Sequence, residues 1–168
     1  MAFKFLRLIS GRIKEEEAIV VSAGAGDADK IPALDGTGRL DNSVMPNGIG
    51  ADTATIEASE NLAAGDLVNV FDSGGPKARK ADATAEGKEA VGFVLEAVSS
   101  AANATVHFEG ILSGLTGLTP GARQYLGTTS GARTETAPAG SGNVSQFLGR
   151  AVSATEISIE IGDPITVA

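Results

Sequence analysis

The chain has no cysteine and no tryptophan, and it has one histidine (His107) and one tyrosine (Tyr125) in 168 residues. Without cysteine there are no disulfides, no thiolate nucleophile and no sulfur ligand for a metal. One histidine and no cysteine leave too few soft donors for a zinc centre. Aromatic residues are 4% of the chain, so the flat platforms on which sugars and bases stack are scarce. No run approaches the ~20 apolar residues of a membrane-spanning helix. "MAFKFLRLIS" carries charges inside its short apolar stretch and no small-residue cleavage site follows it, which makes it a poor export signal. Basic charge is short too: the formal net charge is −8. A nucleic-acid or anionic-membrane partner needs a basic face, so neither is expected.

What is present is 42% hydrophobic content, mostly Ala, Val, Ile and Leu, with 22 glycines. Small residues and many glycines suit short strands joined by tight turns, because glycine takes positive φ without a steric penalty. Charge is uneven. Residues 1–14 hold Lys4, Arg7, Arg12 and Lys14 and no acid, whereas all 21 acids lie in the remainder.

Residues 1–22 fit both a strand and a helical face and are read as an extended or strand-like arm. Residues 24–52 follow neither period. From Thr53 the pattern becomes one of short Val/Ile/Thr-rich segments broken by Gly, Asn, Asp and Pro, which predicts strands. In "EISIEIG", Ile157, Ile159 and Ile161 alternate with Glu156, Ser158 and Glu160, and Val106 and Phe108 alternate around His107, as half-buried strands do. A repeat runs through this part. "LAAGDLVNVF" resembles "LTPGARQYLG", "GGPKARKADA" resembles "SGARTETAPA", and "LEAVSSAANATVHFEG" resembles "GRAVSATEISIEIG". The turn glycines Gly65 and Gly121 are about 56 residues apart and the Ala-Val-Ser pieces at Ala97 and Ala151 about 54, a period that marks a duplicated unit. The expectation is an all-β chain: a small β-barrel or sandwich of two pseudo-repeated halves (62–110 and 118–162) within residues 53–168, preceded by an extended arm over residues 1–52.

No catalytic constellation emerges. His107 lies within a strand, and no Gly-x-Ser-x-Gly elbow accompanies it. Asp27 and Asp29 begin like a calcium loop, but Ile31 occupies the next ligand position, and Arg39 puts a cation into the alternative run from Asp35. The Gly24–Gly26 and Gly36–Gly38 pairs lack a third glycine and place Asp29 and Asp41 where a pyrophosphate would sit. Glu156 and Glu160 read as a solvated strand face rather than a glycosidase pair. The chain is therefore read as a non-enzyme with no cofactor and no metal.

"KIPALDGTGRLDNSVMPNGIGADT" resembles a pattern of tailed-bacteriophage structural proteins: apolar-Pro-x-Leu-Asp-x-x-Gly-x-Leu-Asp, then Met-Pro or Leu-Pro, then a β-domain. "ASENLAAGDLVNVF", "KARKADATAEGKEAVGFVLEAV", "FEGILSGLTGLTPGARQYL" and "FLGRAVSATEISIEI" are similar to β-domains of capsid decoration (cement) proteins and of some fibre proteins. The resemblance covers residues 30–168 and includes no active-site motif. It implies a structural virion protein on the outer surface of the capsid, made in the host cytoplasm, that bridges neighbouring major capsid subunits. It implies a homo-oligomer, a trimer before a dimer. The alternative is a fibre, whisker or baseplate component with a β-domain knob; a carbohydrate-binding or enzymatic module is disfavoured by the scarce aromatics and single histidine. Residues 24–52 cannot form a core alone, and a structureless stretch of this length is uncommon inside a compact domain. They are read as a docking arm that orders against a partner, kept extended by Pro32 and Pro46. Phe3, Phe5, Arg7, Leu8, Ile31, Leu34, Leu40 and Met45 are its expected contacts with capsid or neighbouring subunit.

Overall fold

The computed structural model describes residues 3–45 and 51–168, and the chain divides into two units, Met1–Gly50 and Ala51–Ala168. Pro46, expected to stiffen the arm, lies outside the described residues.

The first unit opens with a hairpin. Strands β1 (Lys4–Ile9) and β2 (Arg12–Glu17) pair antiparallel, with Lys4 opposite Glu17 and Ile9 opposite Arg12. The two-residue loop is Ser10-Gly11, both at positive φ (52° and 77°), which is the turn whose twist matches the strands it joins. Beyond β2, Ile19 donates its N–H to Ile31 (3.0 Å) and accepts from Ala33 (2.7 Å). The rest is bent loop with two single-turn 3-10 helices, Ala25–Asp27 and Asn42–Val44. The expected extended arm is thus extended only in part: it first folds back on itself, and its aspartates then turn the chain.

The second unit is all-β and contains the duplication. Strands β3 (Thr53–Ala58), β4 (Leu67–Asp72), β5 (Pro76–Lys80), β6 (Gly92–Phe93) and β7 (Asn103–His107) close in the order β3-β5-β4-β6-β7 into a small barrel. Four of its junctions are antiparallel; the closing one, β3 with β5, is parallel. Strands β8 (Gly110–Leu112), β9 (Arg123–Leu126), β10 (Arg133–Thr134), β12 (Phe147–Ala151) and β13 (Ile157–Ile159) form a sheet of order β10-β9-β12-β13-β8. A separate pair joins β11 (Val144–Ser145) to β14 (Ile165–Thr166). Starting the ring at β5 gives β5-β4-β6-β7-β3, the same order as the open sheet strand for strand. The halves differ in one junction: β3 bonds β5, and β8 does not bond β10.

Hydrogen bonds locate equivalent residues more closely than sequence does. Gly65 donates to the carbonyl of Val94 (2.8 Å), and Gly121 to that of Ala151 (2.7 Å). Ala151 therefore stands where Val94 does, not where Ala97 does, and the Ala-Val-Ser alignment is out of register. Part of the cause is a β-bulge between Phe147 and Gly149, which adds one residue to β12.

Alternation along the strands divides the interior in two. Ile56, Ala58, Leu62, Val68, Ala78, Val94, Ala104 and Val106 form one core, within the barrel half. Leu67 and Phe93, next to Val68 and Val94 in sequence, join Leu112, Leu126, Leu148, Ile157 and Ile159 in the other. The second core therefore spans both halves. Buried Gln146 clasps them: its side chain accepts from Ala90 N–H (2.8 Å) and donates to the carbonyls of Ala90 (2.9 Å) and Gly162 (3.1 Å).

Candidate functional site

The first unit contains no buried residue among those described, yet it carries most of the large exposed apolar side chains. Opposite residues of an antiparallel pair share a face, so the hairpin register sorts its side chains. One face holds Lys4, Leu6, Leu8, Ile13, Glu15 and Glu17, with Leu6, Leu8 and Ile13 exposed at 72%, 69% and 73%. The other holds Phe5, Arg7, Ile9 and Glu16, all half-buried, with Arg12 and Lys14. On that face Arg7 Nη1 lies 3.3 Å from Glu16 and 3.3 Å from the Asp29 carbonyl, and Nη2 lies 3.4 Å from the Asp29 carboxylate. Lys4 pairs with Glu15 across the first face.

The structure separates the expected contact residues. Phe3, Leu8, Ile31, Leu34 and Leu40 are exposed. Phe5 and Arg7 lie on the half-buried face, where Arg7 ties the hairpin to Asp29. Met45 is half-buried and lines, with Ile19, Lys30, Pro32 and Val44, a cavity of about 370 Å³. Ile13 and Val21, both highly exposed, were missed. The signal for Ile13 was the Ser-Gly pair between two six-residue strands, a hairpin turn.

Three aspartates fix the loop. Asp27 accepts from Ala23 N–H (2.7 Å) and pairs with Lys30 (3.1 Å). Asp35 accepts from the N–H groups of Thr37 (2.8 Å) and Arg39 (3.0 Å) and from the Thr37 hydroxyl (2.7 Å). Asp41 accepts from Ser43 N–H (2.9 Å). Bonds from Ala23 and Lys30, from Arg39 and Thr37, and from Ser43, respectively, hold the three carboxyls below their ordinary pKa. The Asp-Gly text is explained as turn chemistry: each carboxylate takes up local donors.

In the second unit, His107 stacks on buried Phe93 (ring centroids 5.3 Å) and borders a cavity of about 270 Å³ with Glu96, Asn103 and Thr105. Among the described residues no group of three His, Cys, Asp or Glu side chains is placed to hold a metal, and no helix is long and apolar enough to cross a membrane. No protein-family model matches the chain, and no curated protein matches it in sequence.

Proposed function

We propose that this is a structural virion protein that decorates the outer surface of a tailed-phage capsid, with the first unit docking on major capsid subunits and bridging neighbours. The observation that carries the reading is the contrast within the chain: one unit has two buried cores, and the other displays Leu6, Leu8, Ile13, Ile31, Leu34 and Leu40 with no buried residue among those described. Burying one such side chain stabilises by roughly 1.5–3 kcal/mol, so a few docked together hold a unit whose loops are already shaped by their own hydrogen bonds. Many copies on a closed shell then add by avidity. Its partners are the major capsid protein and further copies of itself, and the protein performs no catalysis.

The test mixes undecorated capsids with full-length protein or with protein lacking residues 1–50, then pellets the particles. The truncated form should stay folded and remain in the supernatant. Leu34→Ala and Leu40→Ala should reduce co-sedimentation more than Lys4→Ala, because the exposed Lys4 already pairs with Glu15 and its charge is screened by salt. Equal pelleting of the truncated and full-length forms would overturn the role of the first unit.

A further inference from the structure

The outer edge of β1 has no backbone partner among the described residues. In an antiparallel hairpin, successive residues point their N–H and C=O groups alternately at the partner strand and away from it. Ala18 N–H donates to the Phe3 carbonyl, so Phe3, Phe5, Arg7 and Ile9 point inward to β2. Lys4, Leu6 and Leu8 then point outward. No backbone group among the described residues bonds these outward groups. The matching edge of β2 is continued at Ile19, whose N–H and C=O are taken by Ile31 and Ala33. Among the described residues the outward groups of β2 itself, on Ile13, Glu15 and Glu17, are unbonded as well. Pairing that edge with its own copy would set Glu15 on Glu15, like charge on like. An open edge is a template for another strand, and β1 is the one whose side chains suit a second copy.

We propose that this edge pairs antiparallel, about a two-fold axis at Leu6, with the β1 edge of a second copy of this chain. The side-chain order selects that occupant. "FKFLRLI", residues 3–9, read against itself around Leu6 sets Leu6 on Leu6, Lys4 opposite Leu8, Phe5 opposite Arg7 and Phe3 opposite Ile9. No like charges meet directly, although the strand carries two bases and no acid. The Arg7 guanidinium comes to the ring of the second copy's Phe5, a cation–π arrangement. Lys4 and Arg7 keep Glu15 and Glu16 as partners within their own hairpin, so two basic strands lie side by side with their charges already offset. The product is a four-stranded sheet β2-β1-β1-β2 that brings Leu6, Leu8 and Ile13 of both copies onto one face, beside Lys4, Glu15 and Glu17. It deepens the docking reading by naming a second partner of the same unit. It makes a dimer rather than the trimer that the resemblance favours.

Leu6→Cys tests the register, since the chain has no cysteine of its own. A hydrogen-bonded antiparallel pair sets Cα atoms ~5.5 Å apart, within disulfide range. Under mild oxidation the full-length Leu6→Cys protein should form a linked dimer about ten-fold faster than Ile13→Cys, equally exposed but on the other strand, through the higher effective concentration. Sedimentation of the unmodified protein over a concentration series should give the mass of two chains, reduced to one by Leu6→Lys, which sets like charges opposite each other, and unchanged by Ile13→Lys. Equal cross-linking rates, or a mass of one or three chains, would overturn the pairing. The dimer is read on free protein and attachment on particles, so the two proposals fail separately.

Discussion

The closed barrel and the open sheet are the same five-strand order built twice, and the difference lies in what fills the place of one alanine. In the barrel, Val70 pairs with Ala78, and Ala78 is fully buried beside Val68 and Ala104. Small interior side chains let β5 come close enough to β3 for backbone bonding. In the open sheet, Leu126 pairs with Arg133, so Arg133 holds the place of Ala78. Gln124 holds that of Val68 and Ile157 that of Val106. Arg133 Nη1 lies 3.3 Å from Gln124 Oε1, and Nη2 lies 3.3 Å from the Thr116 carbonyl. A guanidinium thus sits where the barrel has a backbone junction, and its burial pulls its pKa below the ordinary value. Side-chain volume at this one strand is the difference that accompanies closure, with the order of the strands unchanged.

The largest effect is expected at the glycines on the central strand of each half. Gly92 lies opposite Val68, and Gly149 opposite Gln124. A Cβ on Gly92 would meet the His107 carbonyl oxygen at 2.5 Å; on Gly149 it would overlap the Ser158 carbonyl oxygen. Gly149 also has φ 142°. Gly149→Ala should destabilise by about 4 kcal/mol, overpacking plus backbone strain, and Gly92→Ala by about 3 kcal/mol from overpacking alone. Urea unfolding of each variant measures the order, and equal losses would show that the halves share one constraint.

Next comes Ala78→Leu, which places in the closed barrel a volume that the open sheet accommodates. It should cost about 2–3 kcal/mol and weaken amide protection in β3 and β5 before the other strands. Arg133→Ala should follow at about 2 kcal/mol, since buried Gln124 loses a donor to its oxygen. If Arg133→Ala proves neutral while Ala78→Leu is severe, the open half is held by its apolar core alone.

Much of the second unit was legible because its signals are local. "TATIEA" is β3 residue for residue, Ile157 and Ile159 are buried as their alternation requires, and the duplication survived in the turn glycines. "AVGFVLEAVS" belongs to the strand-like segments, but only Gly92-Phe93 is strand. Ala90 on one side bonds the Gln146 side chain, and Val94 and Val98 on the other bond the turn at Gly65–Asp66 and Leu62. "ATVHFEGILS" is two strands, β7 and β8, belonging to different sheets, a split that depends on which half each neighbour joins. Nothing in the sequence singles out Gln146 as the buried clasp, since its partners Ala90 and Gly162 are distant in sequence. In the first unit the apolar residues were visible, but their division between two faces required the Ser10-Gly11 turn.

The smallest effect is expected from Asp82, which links the halves electrostatically. It is 4% exposed and accepts from Thr84 N–H (3.0 Å), the Thr84 hydroxyl, Lys88 Nζ (3.2 Å) and Ser130 Oγ (3.3 Å) in the second half. Burial pushes its pKa up, but the bonds from Thr84 and Lys88 together outweigh burial and hold it below the ordinary 3.8. A carboxyl whose folded pKa is depressed binds protons less readily in the folded chain than in the unfolded one. Its contribution to stability is therefore fully present above the unfolded pKa and lost as pH falls through the folded value. Melting temperature should fall as pH drops below about 4, the unfolded range for aspartate. Asp27, Asp35, Asp41 and Glu135, the last held low by the Thr119 N–H, titrate in the same direction, but on exposed loops, where the return in stability is small. Asp82→Asn keeps the shape and removes the charge, so it should lower the melting temperature at neutral pH and flatten its acid dependence. An unchanged acid slope in Asp82→Asn would place that dependence on the loop aspartates and Glu135 and leave Asp82 as a hydrogen-bond acceptor only.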